Sequence, residues 1–353
     1  MLTRPLRLLM ATSAAAALSL AIAGPASACG GLVGENGTIQ LERTTTLAAY
    51  HDGVEHYVTS FEFSGQGEEV GSIIPLPGVP TAVERGGSWT LQRLEREVAP
   101  VDTALRFEAA GAPVAADSAQ VLLETTVDAL DITILKGGGT EVGRWATEHG
   151  FLLTPDAPEV LDYYSQRSPI FMAARFDAAA ARARGQQAGD GTPIELTIPT
   201  TAPWVPLRIL SLGLDGARQV KADVFLLTDD RPQLLAGANG VTLQRSGPAS
   251  TRLLDDLRSD AHMDWVPSQQ WLTYVAVDAK AADLHYDLAA SVQPDRSPSL
   301  MAAGLVDPAH AAATTTLPRS DASWEWWVAG AAAVTLAVAA TRRRARARDR
   351  SVG

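Results

Sequence analysis

Six arginines, at 342, 343, 344, 346, 348 and 350, stand directly behind the uncharged run 326–340, WWVAGAAAVTLAVAA. A guanidinium cluster resists passage through a bilayer, so an apolar segment with this flank predicts a membrane helix whose C-terminal side stays in the cytoplasm. The uncharged run alone spans about 22 Å as a helix, against a hydrocarbon core of about 30 Å. Extending the helix to 324–341 narrows that gap. Trp324, Trp326 and Trp327 then suit the outer interface, where an indole keeps its N–H wet, while Arg342, Arg343 and Arg344 mark the inner one. A cell-wall sorting signal has the same layout of motif, apolar stretch and basic tail. Leu317-Pro318-Arg319-Ser320-Asp321 sits where its motif would be, but Ser320 and Asp321 depart from LPxTG.

The opposite end reads as a secretory leader. Arg4 and Arg7 precede an apolar stretch centred on residues 14–23, and Ala26-Ser27-Ala28 offers small residues where signal peptidase cuts. Cys29 becomes the first residue of the mature chain under this reading. It could be acylated as in a lipoprotein, although Ala26 stands where such signals carry a large aliphatic residue. Cys29 is also the one cysteine of the chain, which excludes an internal disulfide framework in a compartment that would permit one. A domain of this length has enough chain to rely on a hydrophobic core instead.

Charge follows the same division. Setting aside residues 1–28, with two arginines, and 341–353, with six arginines and one aspartate, leaves 21 basic and 39 acidic residues, a net charge near −18. Such a surface repels nucleic acid and anionic lipid headgroups, and it suits an exported domain that must stay soluble.

Residues 44–63 contain two β-prone runs around Asp52-Gly53, a pair that tolerates the positive φ angles of a type I′ hairpin turn. Further strands are expected over 70–75, 170–177, 193–199, 206–212, 220–228 and 271–277, with two more within 119–135. Helices are expected over 89–98 behind Ser88 as N-cap, over 140–149 with Gly150 as stop, over 156–167, and near 251–259. Strands with isolated helices and no βαβ rhythm predict an α+β fold, a β-rich extracellular domain with a few short helices, plus the C-terminal transmembrane helix. The expected organisation is a leader at 1–28, the α+β domain at 29–288, an Ala/Ser/Thr/Pro-rich stalk at 289–323, the membrane helix at 324–341 and a basic tail at 342–353.

Cys29-Gly30-Gly31-Leu32-Val33, the stretch from Thr46 to Tyr57, Ile73-Ile74-Pro75-Leu76-Pro77, Trp204-Val205-Pro206-Leu207-Arg208 and Trp271-Leu272-Thr273 together resemble the exported bacterial family known as domain of unknown function 2330. The resemblance runs from Cys29 to about Ala290. It implies a secreted or surface-anchored protein, commonly with a C-terminal membrane segment, and brings no activity, substrate or catalytic residue with it.

The chemistry must be sought residue by residue. Across the Asp52-Gly53 turn, His51 pairs with Val54 and His56 with Ala49, which puts both imidazoles on one sheet face as weak candidates for a metal. A stable site needs three or four ligands, and no HxH, HExxH or CxxC supplies the others. Gly137-Gly138-Gly139-Thr140 ahead of a helix resembles a phosphate loop, yet it lacks the following Lys-Ser or Lys-Thr and reads better as a turn with Thr140 as N-cap. No GxSxG elbow is present, and the histidines are scattered at 51, 56, 149, 262, 285 and 310. Asp229-Asp230 and Asp255-Asp256 read as ordinary solvated acids. The resulting expectation is a noncatalytic cell-surface ectodomain, a binding or structural envelope module without cofactor or nucleic acid, whose partners are the membrane and an envelope component or protein. The alternatives are an extracellular hydrolase, which would gather a histidine, an acid and a Ser or Thr in one concave pocket, and a metal-capturing surface protein.

Overall fold

The computed structural model describes residues 31–34, 40–64, 69–99, 119–177, 192–235, 239–291 and 296–305, with Ala180, Ala183 and Gln293 singly. The leader, Cys29, the 317–321 motif, the membrane segment with Trp324, Trp326 and Trp327, and the arginines at 342–344 lie outside these residues. Among the described residues no helix is long and apolar enough to cross a membrane.

The backbone forms a β-rich α+β fold with three sheets and, among the described residues, four short helices. Its largest sheet is built on the hairpin β2 (Gln40–His51) and β3 (Val54–Ser64). Asp52 at φ 48° and Gly53 at φ 82° supply the two left-handed residues that a type I′ turn requires. The pairing His51↔Val54 and Ala49↔His56 is the expected one. Outward from the hairpin, β9 (Ile194–Pro199) and β5 (Ala82–Arg85) extend one side, and β11 (Gln219–Thr228), β14 (Trp271–Lys280) and β13 (Val241–Pro248) extend the other. All pairings are antiparallel except β11 with β2, which makes the sheet mixed. Strand β11 is buried along nearly all its length, as a central strand covered on both faces must be.

A second, antiparallel sheet has the order β1 (Gly31–Gly34), β4 (Glu69–Pro75), β8 (Ile170–Asp177), β7 (Leu130–Lys136) and β6 (Gln120–Val127). Short strands β10 (Trp204–Val205), β15 (Leu288–Ala290) and β12 (Leu234–Leu235) form the third.

Two apolar clusters divide the interior. One takes Ala48, Tyr57, Leu196 and Val224 from the large sheet, residues of the five-stranded sheet, and the buried faces of α2 (Gly139–Glu148) and α3 (Ala157–Ser165). The other takes the opposite alternation, Leu47, Ala49, Val58 and Phe225, with leucines of α1 (Thr90–Val98) and α4 (Thr251–Arg258). Because adjacent positions on a strand face opposite ways, the layers run α1/α4, large sheet, five-stranded sheet, α2/α3.

Several expectations are corrected by tertiary contacts. Ser88 does not cap α1; its start is held by Asp260, which lies 170 positions from Thr90 and accepts from the Trp89 N–H at 2.8 Å, the Ser88 N–H at 3.1 Å and the Thr90 hydroxyl at 2.9 Å. Asp260→Ala is expected to lower stability by about 1–3 kcal/mol, read as a lower urea midpoint at unchanged slope, with a smaller loss for Asp260→Asn. Thr140 lies inside α2, whose N-cap is Gly138, and the Glu141 carboxylate reaches back to the Gly138 N–H at 2.9 Å. Gly139 owes its place to packing, since a Cβ there would sit 2.4 Å from the Asp162 backbone nitrogen of α3. Residues 206–212 are not a strand but carry a 3-10 turn, Arg208–Ser211. Here the N–H groups of Leu207 and Arg208 turn inward to Asp287 and that of Ile209 to the Tyr164 hydroxyl.

The folded body also runs past residue 288. Ala303 is fully buried, its carbonyl accepts from the Asp287 N–H at 3.0 Å, and the Ala302 carbonyl accepts from Arg167 at 3.0 Å.

Candidate functional site

A cavity of about 250 Å³ opens on the outer face of the five-stranded sheet. Strand register builds it: Thr126, Asp131 and Arg175 are cross-strand partners on β6, β7 and β8, and Glu124, Thr133 and Ala173 form the next row. Partners across a ladder share a face, so these six side chains line one grid. The helical wall is Trp145 and His149, with Phe151 behind the turn that Gly150 closes at φ 83°. Phe151 can lie flat against the sheet because Gly71 on β4 has no side chain; a Cβ there would come within 2.1 Å of the ring.

Several of its polar groups are engaged with one another. The Thr126 hydroxyl donates to Asp131 Oδ1 at 3.2 Å, and the Arg175 guanidinium stands 3.6 Å from Asp131 Oδ2. His149 stacks on Trp145 with ring centroids 4.0 Å apart, and its Nδ1 lies 2.7 Å from the Trp145 carbonyl. A carbonyl only accepts, so Nδ1 carries the proton and a neutral ring keeps its lone pair on Nε2. Trp145 is 4% exposed, and its indole Nε1 is buried without a hydrogen-bond partner.

The histidines singled out in the sequence sit elsewhere. His51 and His56 do share a sheet face, but each is claimed by a different carboxylate. His51 Nδ1 meets Asp229 Oδ1 at 2.6 Å, and its Nε2 is 3.4 Å from Asp52. His56 Nδ1 meets Glu195 at 3.0 Å, with its ring stacked 3.8 Å from that of Trp265. Among the described residues no group of three or more His, Cys, Asp or Glu side chains converges on a point where a metal could sit. The acid pairs have structural work: Asp229 holds His51 and the Gln270 amide, while Asp255 and Asp256 bind Arg258 and Arg93.

Sequence reasoning missed Glu55. It is fully buried opposite Tyr50 on β2 and Ile198 on β9, and neither carboxyl oxygen has a hydrogen-bond partner. Burial pushes its pKa up to about 8, so the group is predominantly protonated at neutral pH. Burial, followed by the charges of Glu55 and Asp229, also raises Tyr50.

A family model described as an uncharacterized protein conserved in bacteria, DUF2330, matches residues 23–317. No curated protein matches the sequence. Among solved structures, the crystal structure of baculovirus P35 aligns over 72% of this chain and 94% of its own at 9% identity, with a TM-score of 0.37. That likeness is too loose to carry an argument.

Proposed function

The chain belongs to this uncharacterised bacterial family, and on that premise we propose a noncatalytic ectodomain, held at the cell membrane by residues 324–341, that binds a small ligand in the cavity over β6, β7 and β8. The observation that carries the binding half is the cavity lining, where charges of both signs and two threonine hydroxyls border an apolar wall of Trp145 and Phe151. What supports the location is the arginine tail behind an apolar run, an N-terminal segment with the layout of a secretory leader, and a net charge near −18 between them.

One observation favours a second reading, a hydrolase: His149, Asp131, Thr126 and Thr133 line the same cavity. Their bonding weighs against it. A hydroxyl nucleophile must hand its proton to a base that a carboxylate orients. Here the Thr126 hydroxyl donates directly to Asp131, and His149 Nδ1 donates to a main-chain carbonyl.

Protease treatment of intact cells carrying the chain with a tag behind Cys29 and another at Gly353 tests the location. Loss of the first tag and survival of the second is expected. Survival of both on intact cells, with loss only after lysis, would refute an outward-facing domain. Turnover of a p-nitrophenyl ester that disappears in His149→Ala would favour the hydrolase.

A further inference from the structure

Resting on that reading of the cavity, we propose that its ligand is a neutral polyhydroxylated ring, a single sugar residue of a glycan. Charge decides against the simpler ionic ligands. Arg175 and Asp131 stand 3.6 Å apart and compensate one another, with side chains only 25% and 17% exposed. An anion drawn to Arg175 would meet Asp131 and Glu124, and a cation drawn to those carboxylates would meet Arg175. Either would have to weaken a pair that the fold already holds together, leaving one member partly desolvated without its counter-charge.

A hydroxyl group carries no such penalty. It donates to Asp131 or Glu124 while a neighbouring hydroxyl accepts from Arg175, so both charges keep their bonds and the pair stays intact. Thr133 adds a hydroxyl that donates and accepts, and the Thr126 hydroxyl, whose proton goes to Asp131, accepts. These positions repeat about 5 Å across the strands and roughly 7 Å along them, spacings of the order of a sugar ring's own width. Within that grid Ala173, and beside it Phe151, give an apolar surface for the C–H face of such a ring. The volume of about 250 Å³ suits a single ring, since pockets for drug-sized ligands run from roughly 300 Å³ upward.

Saturation-transfer NMR on the intact purified chain tests this with four probes: glucose and N-acetylglucosamine as neutral rings, alanine as a zwitterion and acetate as an anion. At least one of the two sugars is expected to give a transfer signal. Arg175→Met and Thr133→Val, which leave the floor intact, should each weaken it by about tenfold, the scale of one hydrogen bond to a charged or buried group. Ala173→Leu, which fills the floor, should abolish it, with the thermal transition monitored to verify that each variant is folded. Alanine or acetate binding without sugar binding, lost in the same variants, would refute the sugar and leave the cavity as a binding site. Sugar binding untouched by all three folded variants would place the ring elsewhere and overturn the proposal. Silence from every probe would overturn the proposal and the binding role of the cavity together.

Discussion

Glu55→Gln is expected to stabilise the protein by about 3 kcal/mol at pH 7 and to remove a pH dependence that the parent chain shows between pH 4.5 and 8. The folded state holds the Glu55 carboxyl at about 8 through burial, whereas the ordinary value is 4.5. Between those limits the folded chain keeps a proton that the unfolded chain releases, so stability falls as pH rises and the loss is complete above about 8. Each pH unit of that interval costs about 1.4 kcal/mol, which gives about 3 kcal/mol at pH 7 and about 5 kcal/mol above pH 8. Glutamine has nearly the same volume and no ionisation, so it removes the charge cost without opening a void. Urea unfolding at pH 5, 7 and 8.5 provides the measurement. Parallel stability curves for the two chains across that range would mean that Glu55 is solvated or bonded in a way that the burial of its carboxyl contradicts.

The second large effect runs the other way. Asp287→Ala is expected to cost about 3–5 kcal/mol, because it strands a buried guanidinium. Asp287 is fully buried, and its Oδ1 accepts from the Tyr164 hydroxyl at 2.8 Å, the Leu207 N–H at 2.7 Å and the Arg208 N–H at 3.0 Å. Its Oδ2 takes Arg167, whose guanidinium lies 4.0 Å over the Trp204 ring. Burial opposes the Arg167 charge, but attraction to Asp287 outweighs it and leaves the pKa raised. Replacing a buried ion pair by two apolar residues is often neutral elsewhere. Here the double variant Arg167→Met with Asp287→Leu should still lose stability, because the N–H groups of Leu207 and Arg208 would be left inside without an acceptor. Thermal unfolding of the two variants separates the cases, and full recovery in the double variant would show that the backbone donors contribute little.

Local chemistry was readable from the chain, and long-range closure was not. The Asp52-Gly53 hairpin, Gly150 as the stop of α2 and the span of β8 follow from turn residues and β-propensity, which act over a few positions. The 3-10 turn at 208–211 was hidden because its apolar run mimics a strand, and its deciding acceptor, Asp287, lies 80 positions away from Leu207. Glu55 escaped notice for a related reason. Strand β3 is buried on both faces at Tyr57 and Val58, so no alternation marks Glu55 as facing inward. Even the histidines were found without their partners, since Asp229 and Glu195 come from β-strand neighbourhoods that only the folded sheet brings to the hairpin. The cavity, assembled from three strands and the end of a helix, left no contiguous motif at all.

Among the described residues the one parallel pairing in the large sheet, β2 with β11, starts at Thr44 and Ala222, 178 residues further along. A nascent hairpin therefore cannot find its neighbour until most of the domain has been synthesised, and its apolar edge must wait unpaired during that interval. Such late closure makes for slow folding and for a chain that depends on being kept from self-association until the sheet is complete.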